Sequence, residues 1–166
     1  MIDSLIDTMK ESDWEQVRSI YLEGIATGDA TFETDAPAWE KWNAGHLPSC
    51  RLVARSGDTV RGWAALSPVS SRCVYGGVAE VSIYIGRDYR GMGLGRALLM
   101  ALITESEKNG LWTLQAGIFP ENRASIDLHE SCGFREVGRR ERIGKMDGRW
   151  RDTVLLERRS SIVGID

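Results

Sequence analysis

Residues 81–99 read VSIYIGRDYRGMGLGRALL, and this stretch decides the fold. It opens with the alternating pattern of a β-strand, continues into a glycine-rich turn, and ends in an apolar repeat that predicts an α-helix from Leu94. Gly91, Gly93 and Gly95 leave the backbone N–H groups at the start of that helix without covering side chains. Because these N–H groups lie at the positive end of the helix dipole, the stretch predicts a binding site for an anionic phosphate.

The spacing of the glycines excludes other phosphate-binding motifs. A Rossmann turn needs its third glycine one residue later, and a P-loop needs Lys and Ser or Thr where this chain has Arg96 and Ala97. No His-Arg-Asp kinase motif occurs. The remaining pattern, Arg-x-x-Gly-x-Gly before a helix, resembles the pyrophosphate loop of the GNAT superfamily of N-acetyltransferases, which bind acetyl-CoA. A surface turn with chance glycines is the alternative.

Composition limits the class of protein. The chain has 166 residues, 42% of them hydrophobic and 27% charged, as in an ordinary soluble globular domain. A net charge of −3 gives no reason to expect a nucleic-acid partner. Without a visible signal peptide or membrane-spanning run, we expect no membrane partner and a cytoplasmic location. Basic residues crowd the region after residue 134, which reflects either solvated strand faces or attraction of an anionic ligand.

The cysteines do not suggest a disulfide or metal framework. Cys50, Cys73 and Cys132 are odd in number and lack C-x-x-C spacing, which favours a reducing compartment. Together with two histidines they predict no metal site. Cys132 follows His129 by about one helical turn, so a Cys–His nucleophile pair is one interpretation. A half-buried structural thiol is the interpretation we adopt.

The remaining patterns predict the order helix, helix, hairpin, strand, helix, strand, helix, hairpin. A strand–helix–strand unit among antiparallel pairs implies an α/β (α+β) fold with a mixed, mostly antiparallel central sheet flanked by helices. This order also resembles the GNAT fold, as a single domain over residues 1–166 with its core at about 8–158. The predicted elements are a helix with a Ser12–Glu15 capping box, a helix from 35–37 to before Pro48, a hairpin of 51–55 and 60–66, a strand ending at Ile85, a helix from Leu94 to Asn109, a strand at 111–118, a helix at 122–133, and a hairpin of 134–142 and 151–158.

A second segment strengthens the resemblance. Asn122-Arg-Ala-Ser125, followed by Leu128-His129 and by Gly133-Phe134, matches a GNAT segment in which the Asn and Ser help to hold the CoA arm. The resemblance also implies contacts to acetyl-CoA from the strand and from the glycine loop. The implied cofactor-binding residues are Ile83, Tyr84, Ile85, Arg90, Gly91, Met92, Gly93, Leu94, Gly95, Arg96, Asn122 and Ser125.

Glu80 is the candidate general base. Acetyl transfer to an amine requires removal of the amine proton and stabilisation of a developing oxyanion. Strand alternation places Glu80 with Ser82 and Tyr84 on the face opposite residues 81, 83 and 85. There the carboxylate would lie beside a thioester a few residues from the glycine loop. Whether it takes the proton directly or through a water stays open, and an exposed strand glutamate without a role is the alternative.

A closer resemblance concerns the substrate. Arg72 and Tyr75 before Glu80, with Phe32-Glu33-Thr34 upstream and Trp150-x-Asp152 downstream, resemble the phosphinothricin and methionine sulfoximine acetyltransferases. In that family the matching glutamate is regarded as the base, and many members are homodimers with substrate near the subunit interface. A guanidinium suits an amino-acid carboxylate, and a phenol can donate or stack. The implied substrate-binding residues are Phe32, Arg72, Tyr75, Glu80 and Ser82.

His129 and the tryptophans carry open alternatives. Many GNAT members have tyrosine at the position of His129, where it is proposed to protonate the departing thiolate. A histidine can take that role, but we interpret His129 as structural. Five of the six tryptophans are predicted to be mostly core. Trp150 serves either packing or an interface or pocket.

The sequence thus predicts an acetyl-CoA-dependent N-acetyltransferase. Its substrate would be the α-amine of a small amino acid or analogue such as methionine sulfoximine, methionine sulfone or phosphinothricin, acetylated by direct transfer in a detoxifying reaction. Two alternatives remain: a protein or peptide N-acetyltransferase, and a non-catalytic CoA-binding regulatory module.

Overall fold

The computed structural model describes residues 3–166. None of the helices in this range is long and apolar enough to cross a membrane. Single 3₁₀ turns occupy Glu11–Asp13, Cys73–Tyr75 and Arg87–Tyr89. The main elements in chain order are β1 (Leu5–Thr8), α1 (Trp14–Ala26), α2 (Trp39–Gly45), β2 (Leu52–Ser56), β3 (Thr59–Pro68), β4 (Val78–Ile85), α3 (Leu94–Lys108), β5 (Thr113–Ile118), α4 (Arg123–Ser131), β6 (Arg135–Met146) and β7 (Arg149–Arg159).

The seven strands form one mixed sheet in the order β1-β2-β3-β4-β5-β7-β6. Strands β4 and β5 are parallel, and the other neighbouring strands pair antiparallel. Helix α3 makes the crossover that a parallel pair requires. The predicted mixed, mostly antiparallel sheet with flanking helices is therefore confirmed.

Each face of the sheet buries its own apolar cluster. Helices α3 and α4 cover one face, where Leu98, Leu102 and Ile126 pack against strand residues such as Leu66 and Leu156. Helices α1 and α2 belong to the opposite face. Its buried residues are Met9, Trp14, Val17, Ile20, Trp42, Val53, Val60, Trp63 and Ala65.

Strand β4 shows the predicted alternation. Val81, Ile83 and Ile85 pack against the cluster beneath α3, whereas Tyr84 packs against the aromatic cluster on the α1 side. Helix α1 approaches this strand closely, since a Cβ at Gly24 would lie 2.5 Å from the Tyr84 ring. The even-numbered residues, Glu80 included, therefore face the side of the sheet that α1 covers.

One local prediction is wrong, and one strand was missed. The Ser12–Glu15 capping box does not form, because the chain enters α1 through a 3₁₀ turn that Asp13 caps: its Oδ2 accepts the backbone N–H of Lys10 at 2.8 Å. Strand β1 was also not predicted. Its four residues gain their strand conformation by pairing with β2, which local sequence does not show.

The final hairpin is longer than predicted. Strand β6 continues to Met146 and β7 begins at Arg149, so the turn shrinks to Asp147-Gly148, the dipeptide expected there. The register shifts between Arg140 and Gly144. This bulge bends the hairpin next to the cleft described below.

Candidate active site

The site is a cleft formed where the two parallel strands separate. Residues 78–80 of β4 pair with 113–115 of β5, after which β4 remains paired with β3 through Ile85 and β5 with β7 through Ile118. Within the described chain, residues 81–85 therefore have no neighbouring strand on the cleft side. Their backbone N–H and C=O groups are available to an extended ligand. The cleft encloses about 1080 Å³.

The wide end of the cleft carries the glycine loop and the N-terminus of α3. Gly91 and Gly93 have φ values of 74° and 83°, which side-chain-bearing residues rarely adopt, and Gly93 is the N-cap of the helix. The first N–H groups of α3 have no partner within the helix. With the helix dipole they give this end of the cleft the geometry and partial positive charge that suit an anion. Most of the predicted loop lines the cleft: Arg90, Gly91, Gly93, Leu94, Gly95 and Arg96.

The N-terminus of α4 borders the same cleft. The Asn122 Oδ1 accepts the backbone N–H of Ser125 at 3.2 Å, which confirms the predicted cap. The Asn122 Nδ2 donates to the backbone oxygen of Asp29 at 3.2 Å. Both ends of the carboxamide are thus engaged within the protein. Asn122 connects the α4 end of the cleft to the segment between α1 and α2.

Glu80 lies at the narrow end, where β4 and β5 part. Its side chain lines the cleft together with Ser82, and the residue is half-buried. Its Oε1 accepts a hydrogen bond from Gln115 Nε2 at 3.4 Å. Sequence reasoning missed Gln115, which stands directly opposite Glu80 in the parallel register. The pairing gives the carboxylate a fixed partner while leaving it in contact with the cleft.

The wall on the α1 side comes from residues that the sequence analysis mostly overlooked. Phe32 lies in the segment after α1 and packs edge-on against Phe119, with ring centroids 4.8 Å apart. Arg140 and Ile143 of β6 and Thr153 of β7 complete this wall. Phe32 was predicted from the family resemblance. The hairpin residues had no local signal, because the bulge in β6 decides which of them face the cleft.

Three predicted site residues lie elsewhere. Arg72 precedes an exposed 3₁₀ turn and Tyr75 is the last residue of that turn, with the Arg72 Cζ 5.4 Å from the centre of the Tyr75 ring. Neither residue lines the cleft of the described chain. Met92 is 48% exposed and is also absent from the cleft lining in this range. One copy of the chain therefore brings together Glu80 and the cofactor loop but not Arg72.

His129 is buried beside the cleft in a form that favours neutral imidazole. Its Nδ1 lies 2.7 Å from the backbone oxygen of Ser125 and therefore carries the hydrogen. Its Nε2 is buried without a hydrogen-bond partner among residues 3–166. Burial lowers the pKa of His129. The neighbouring Cys132 is buried in the apolar cluster beneath α3, as expected of a structural thiol.

The tryptophans divide as predicted. Trp14, Trp42 and Trp63 are buried, and Trp39 and Trp112 are half-buried. Trp150 is 61% exposed, and Lys145 Nζ lies 5.7 Å from its ring centre. Packing within one chain therefore does not account for Trp150.

This arrangement is that of an acetyl-group transferase of the GNAT class. Residues 8–134 match the family described as Acetyltransferase (GNAT) family, and the chain belongs to it. The predicted family, fold and enzyme class are thereby confirmed.

Within this family, the chain is similar to proteins named as phosphinothricin and methionine sulfoximine acetyltransferases. The chain is 33% identical over 161 residues to a phosphinothricin N-acetyltransferase of Alcaligenes faecalis, covering 92% of this chain and 81% of the relative. It is 35% identical over 106 residues to an L-methionine sulfoximine/L-methionine sulfone acetyltransferase of Salmonella typhimurium, covering 64% and 62%. A GNAT superfamily phosphinothricin acetyltransferase from Sinorhizobium meliloti, solved in complex with AcCoA, superposes with a TM-score of 0.87 at 27% identity, covering 99% and 92%.

Proposed function

We propose that this protein transfers the acetyl group of acetyl-CoA to the α-amine of a small amino acid or analogue such as methionine sulfoximine, methionine sulfone or phosphinothricin. The observation that carries the proposal is the position of Glu80 at the narrow end of a cleft whose wide end is formed by the glycine loop and the N-terminus of α3. The named relatives act, by their descriptions, on phosphinothricin and on methionine sulfoximine and sulfone.

The cleft fits acetyl-CoA in three parts. The loop from Arg90 to Arg96 would hold the pyrophosphate, and the free backbone of residues 81–85 would bind the extended arm. Glu80 precedes Ile85 by five residues, or about 17 Å along the strand. An arm that follows the strand would therefore deliver the thioester to the vicinity of the Glu80 carboxylate. Acetyl-CoA supplies the activated acetyl group and leaves as the free thiol when its C–S bond breaks, and the protein supplies position and charge.

Glu80 would act as the general base in a direct transfer. Its carboxylate removes a proton from the substrate ammonium, either itself or through a water, so that the free amine can attack the thioester. Backbone N–H groups of β4 that face the cleft stabilise the oxyanion that develops. Because no side chain is acylated in this scheme, the protein needs no nucleophilic serine or cysteine. Cys132, at the C-terminal end of α4, is buried.

A homodimer would complete the substrate site. Arg72 offers the carboxylate-binding guanidinium that an amino-acid substrate needs, yet it lies outside the cleft of its own chain. Exposed apolar side chains surround it: Val69 is 42%, Val74 64% and Tyr75 47% exposed. Such a patch on a small domain is typical of an interaction surface. We infer that this patch contacts a second copy and that Arg72 there serves the partner's cleft.

We also place the enzyme in the cytoplasm, since all three cysteines are free thiols in residues 3–166.

Thiol release from acetyl-CoA tests the proposal directly. The panel contains methionine sulfoximine, methionine sulfone, phosphinothricin, ordinary amino acids and a lysine peptide. We expect rapid release with the sulfoximine, the sulfone or phosphinothricin and slow release with the peptide. Preference for the peptide would establish a protein acetyltransferase. Binding of acetyl-CoA without turnover on any amine would establish a non-catalytic module.

A further inference from the structure

Arg151 of β7 connects three separate segments beside the cleft. Its Nη1 donates to the backbone oxygen of Gly28 at 2.7 Å, and its Nη2 donates to Asp29 Oδ1 at 2.8 Å and to Glu121 Oε2 at 3.2 Å. Its Cζ lies 3.8 Å from the ring centre of Phe119. The contacts with Gly28 and Asp29 join residues more than 120 positions apart in sequence. One guanidinium thus ties the hairpin, the segment after α1 and the loop before α4 together.

The chemistry of this contact requires arginine. The side chain of Arg151 is 16% exposed, so its charge is largely withdrawn from water and is compensated by two carboxylates and a carbonyl. A planar fork with donors on both terminal nitrogens reaches these acceptors at once while its face covers the Phe119 ring. A lysine ammonium at the same place reaches one or two of them.

The segment held by Arg151 forms the α1-side wall of the cleft. Residues 27–38 contain neither helix nor strand, so tertiary contacts decide their position. Asp29 and Phe32 line the cleft on the side that Glu80 faces. Phe32 itself rests on Phe119, the ring that Arg151 covers. Arg151 therefore fixes both the backbone of the wall and the platform beneath its aromatic side chain.

We propose that Arg151 is a positioning residue that holds residues 28–32 in place so that the acceptor amine is aligned with Glu80. The inference rests on the proposed function in one respect: the acceptor enters on the α1 side of the cleft. Arg151 lies outside the glycine loop and the β4 edge, and its link to the implied CoA-binding residues is indirect, through Asp29 and Glu121 to Asn122. Its main effect therefore falls on the acceptor. A misplacement of the wall by about 1 Å is enough to cost up to a hundredfold in the transfer rate.

Replacement of the guanidinium tests this role. Arg151→Met keeps a stem over Phe119 but removes the hydrogen bonds to Gly28, Asp29 and Glu121, and Arg151→Lys keeps the charge. We expect both to lower kcat/KM for the amino acid by about tenfold to a hundredfold, with the Kd for acetyl-CoA within about twofold of wild type. Arg135→Met is the matched control, because Arg135 makes an exposed ion pair with Glu157 on the same hairpin. Its kinetics should equal those of wild type.

A second variant and a second measurement keep the proposal testable if Arg151→Met fails to fold. Asp29→Ala removes one of the carboxylates that Arg151 contacts, from a side chain that is 49% exposed, and should reproduce part of the loss in kcat/KM for the amino acid. Asp29→Asn should restore the wild-type kcat/KM. Hydrogen–deuterium exchange of residues 27–34 should accelerate in Arg151→Met and stay unchanged in Arg135→Met. Unchanged exchange in Arg151→Met, or an equal loss of acceptor and acetyl-CoA affinity, would overturn the proposal. Hydrogen–deuterium exchange needs no turnover. An inactive wild-type protein would therefore refute the proposed function, and the exchange result would still decide whether Arg151 holds residues 28–32 in place.

Discussion

The two ends of the cleft are built on different principles. At the cofactor end the contiguous residues 81–96 supply a free strand edge, a glycine turn and a helix N-terminus, and the binding groups that we propose there are mainly backbone N–H. At the acceptor end the wall comes from side chains of three distant parts of the chain, held by contacts such as those of Arg151. The first end is local and depends on backbone conformation. The second is assembled by tertiary structure and depends on individual side chains.

This difference determines which substitutions impair each end of the cleft. The cofactor end tolerates many side-chain changes but not an added Cβ where φ is positive. The acceptor end should lose alignment or charge when one side chain, such as that of Arg151 or Glu80, is removed. Variants at the acceptor end should therefore lose activity and still bind acetyl-CoA, whereas variants at the cofactor end should bind acetyl-CoA less tightly.

Glu80→Gln should give the largest effect, because it removes the proposed base while retaining shape and hydrogen-bonding capacity. We expect kcat to fall by about 10²–10⁴-fold, with the Kd for acetyl-CoA unchanged. Steady-state kinetics and calorimetry measure the two quantities. Glu136→Gln, an exposed glutamate on β6, is the control. Wild-type kcat in Glu80→Gln would remove Glu80 from the mechanism.

Arg72→Ala comes next. Loss of a charge-assisted hydrogen bond to a carboxylate costs about 1.5–3 kcal/mol, so KM for the amino acid should rise by about tenfold to a hundredfold. KM for an amine that lacks a carboxylate should not change, and Arg149→Ala serves as an exposed-arginine control. Equal KM values for Arg72→Ala and wild type would exclude Arg72 from substrate binding.

Mixed dimers test whether the Arg72 and Glu80 that serve one cleft come from different copies of the chain. If Arg72 of one copy serves Glu80 of the other, co-expressed Glu80→Gln and Arg72→Ala chains form heterodimers with one intact cleft. Activity well above that of either parent variant is then expected. If both residues serve the same copy, every cleft carries one defect and no activity returns. This outcome would contradict the proposed arrangement of the dimer without affecting the role of Glu80.

The contrast between the two ends also explains what sequence alone could predict. The strand, the loop at Arg90–Arg96 and helix α3 follow one another directly, and the alternation that places Glu80 is a local rule, so these were predicted. Strand β1, Gln115 and Arg151 depend on partners far away in the chain, and no local pattern marks them. Arg72 was predicted by resemblance and lies outside the cleft of its own chain, so the role proposed for it requires a second copy.

Gly93→Ala tests the cofactor end with a smaller expected effect. No atom lies within 4 Å of a Cβ at Gly93, so the cost is the strain of a φ near 83°. At about 1–2 kcal/mol, this strain should raise KM for acetyl-CoA by about fivefold to thirtyfold and leave KM for the amino acid unchanged. Gly45→Ala, where the added Cβ also meets open space but φ is not positive, is the control. A change in amino-acid KM alone would reverse the assignment of the two ends.

The smallest expected effect concerns pH and separates stability from catalysis at His129. Burial holds the pKa of this histidine below its ordinary value of 6.5 in the fold, so the unfolded chain binds a proton first as pH falls. The contribution of neutral His129 to the free energy of unfolding is therefore complete above pH 6.5 and is lost as pH falls from there towards the lowered pKa.

Urea unfolding between pH 5 and 8 should show a shallower pH dependence for His129→Gln than for wild type. His46, whose pKa burial also lowers, supplies a matched variant away from the cleft. Asp13 does not interfere: burial opposes its ionisation, but hydrogen bonds from Arg55 and from the backbone of Lys10 outweigh that effect and hold its pKa below 3.8. If His129→Gln instead displaces the pH profile of kcat and leaves the stability slope unchanged, His129 is a proton donor in the reaction and the structural interpretation is wrong.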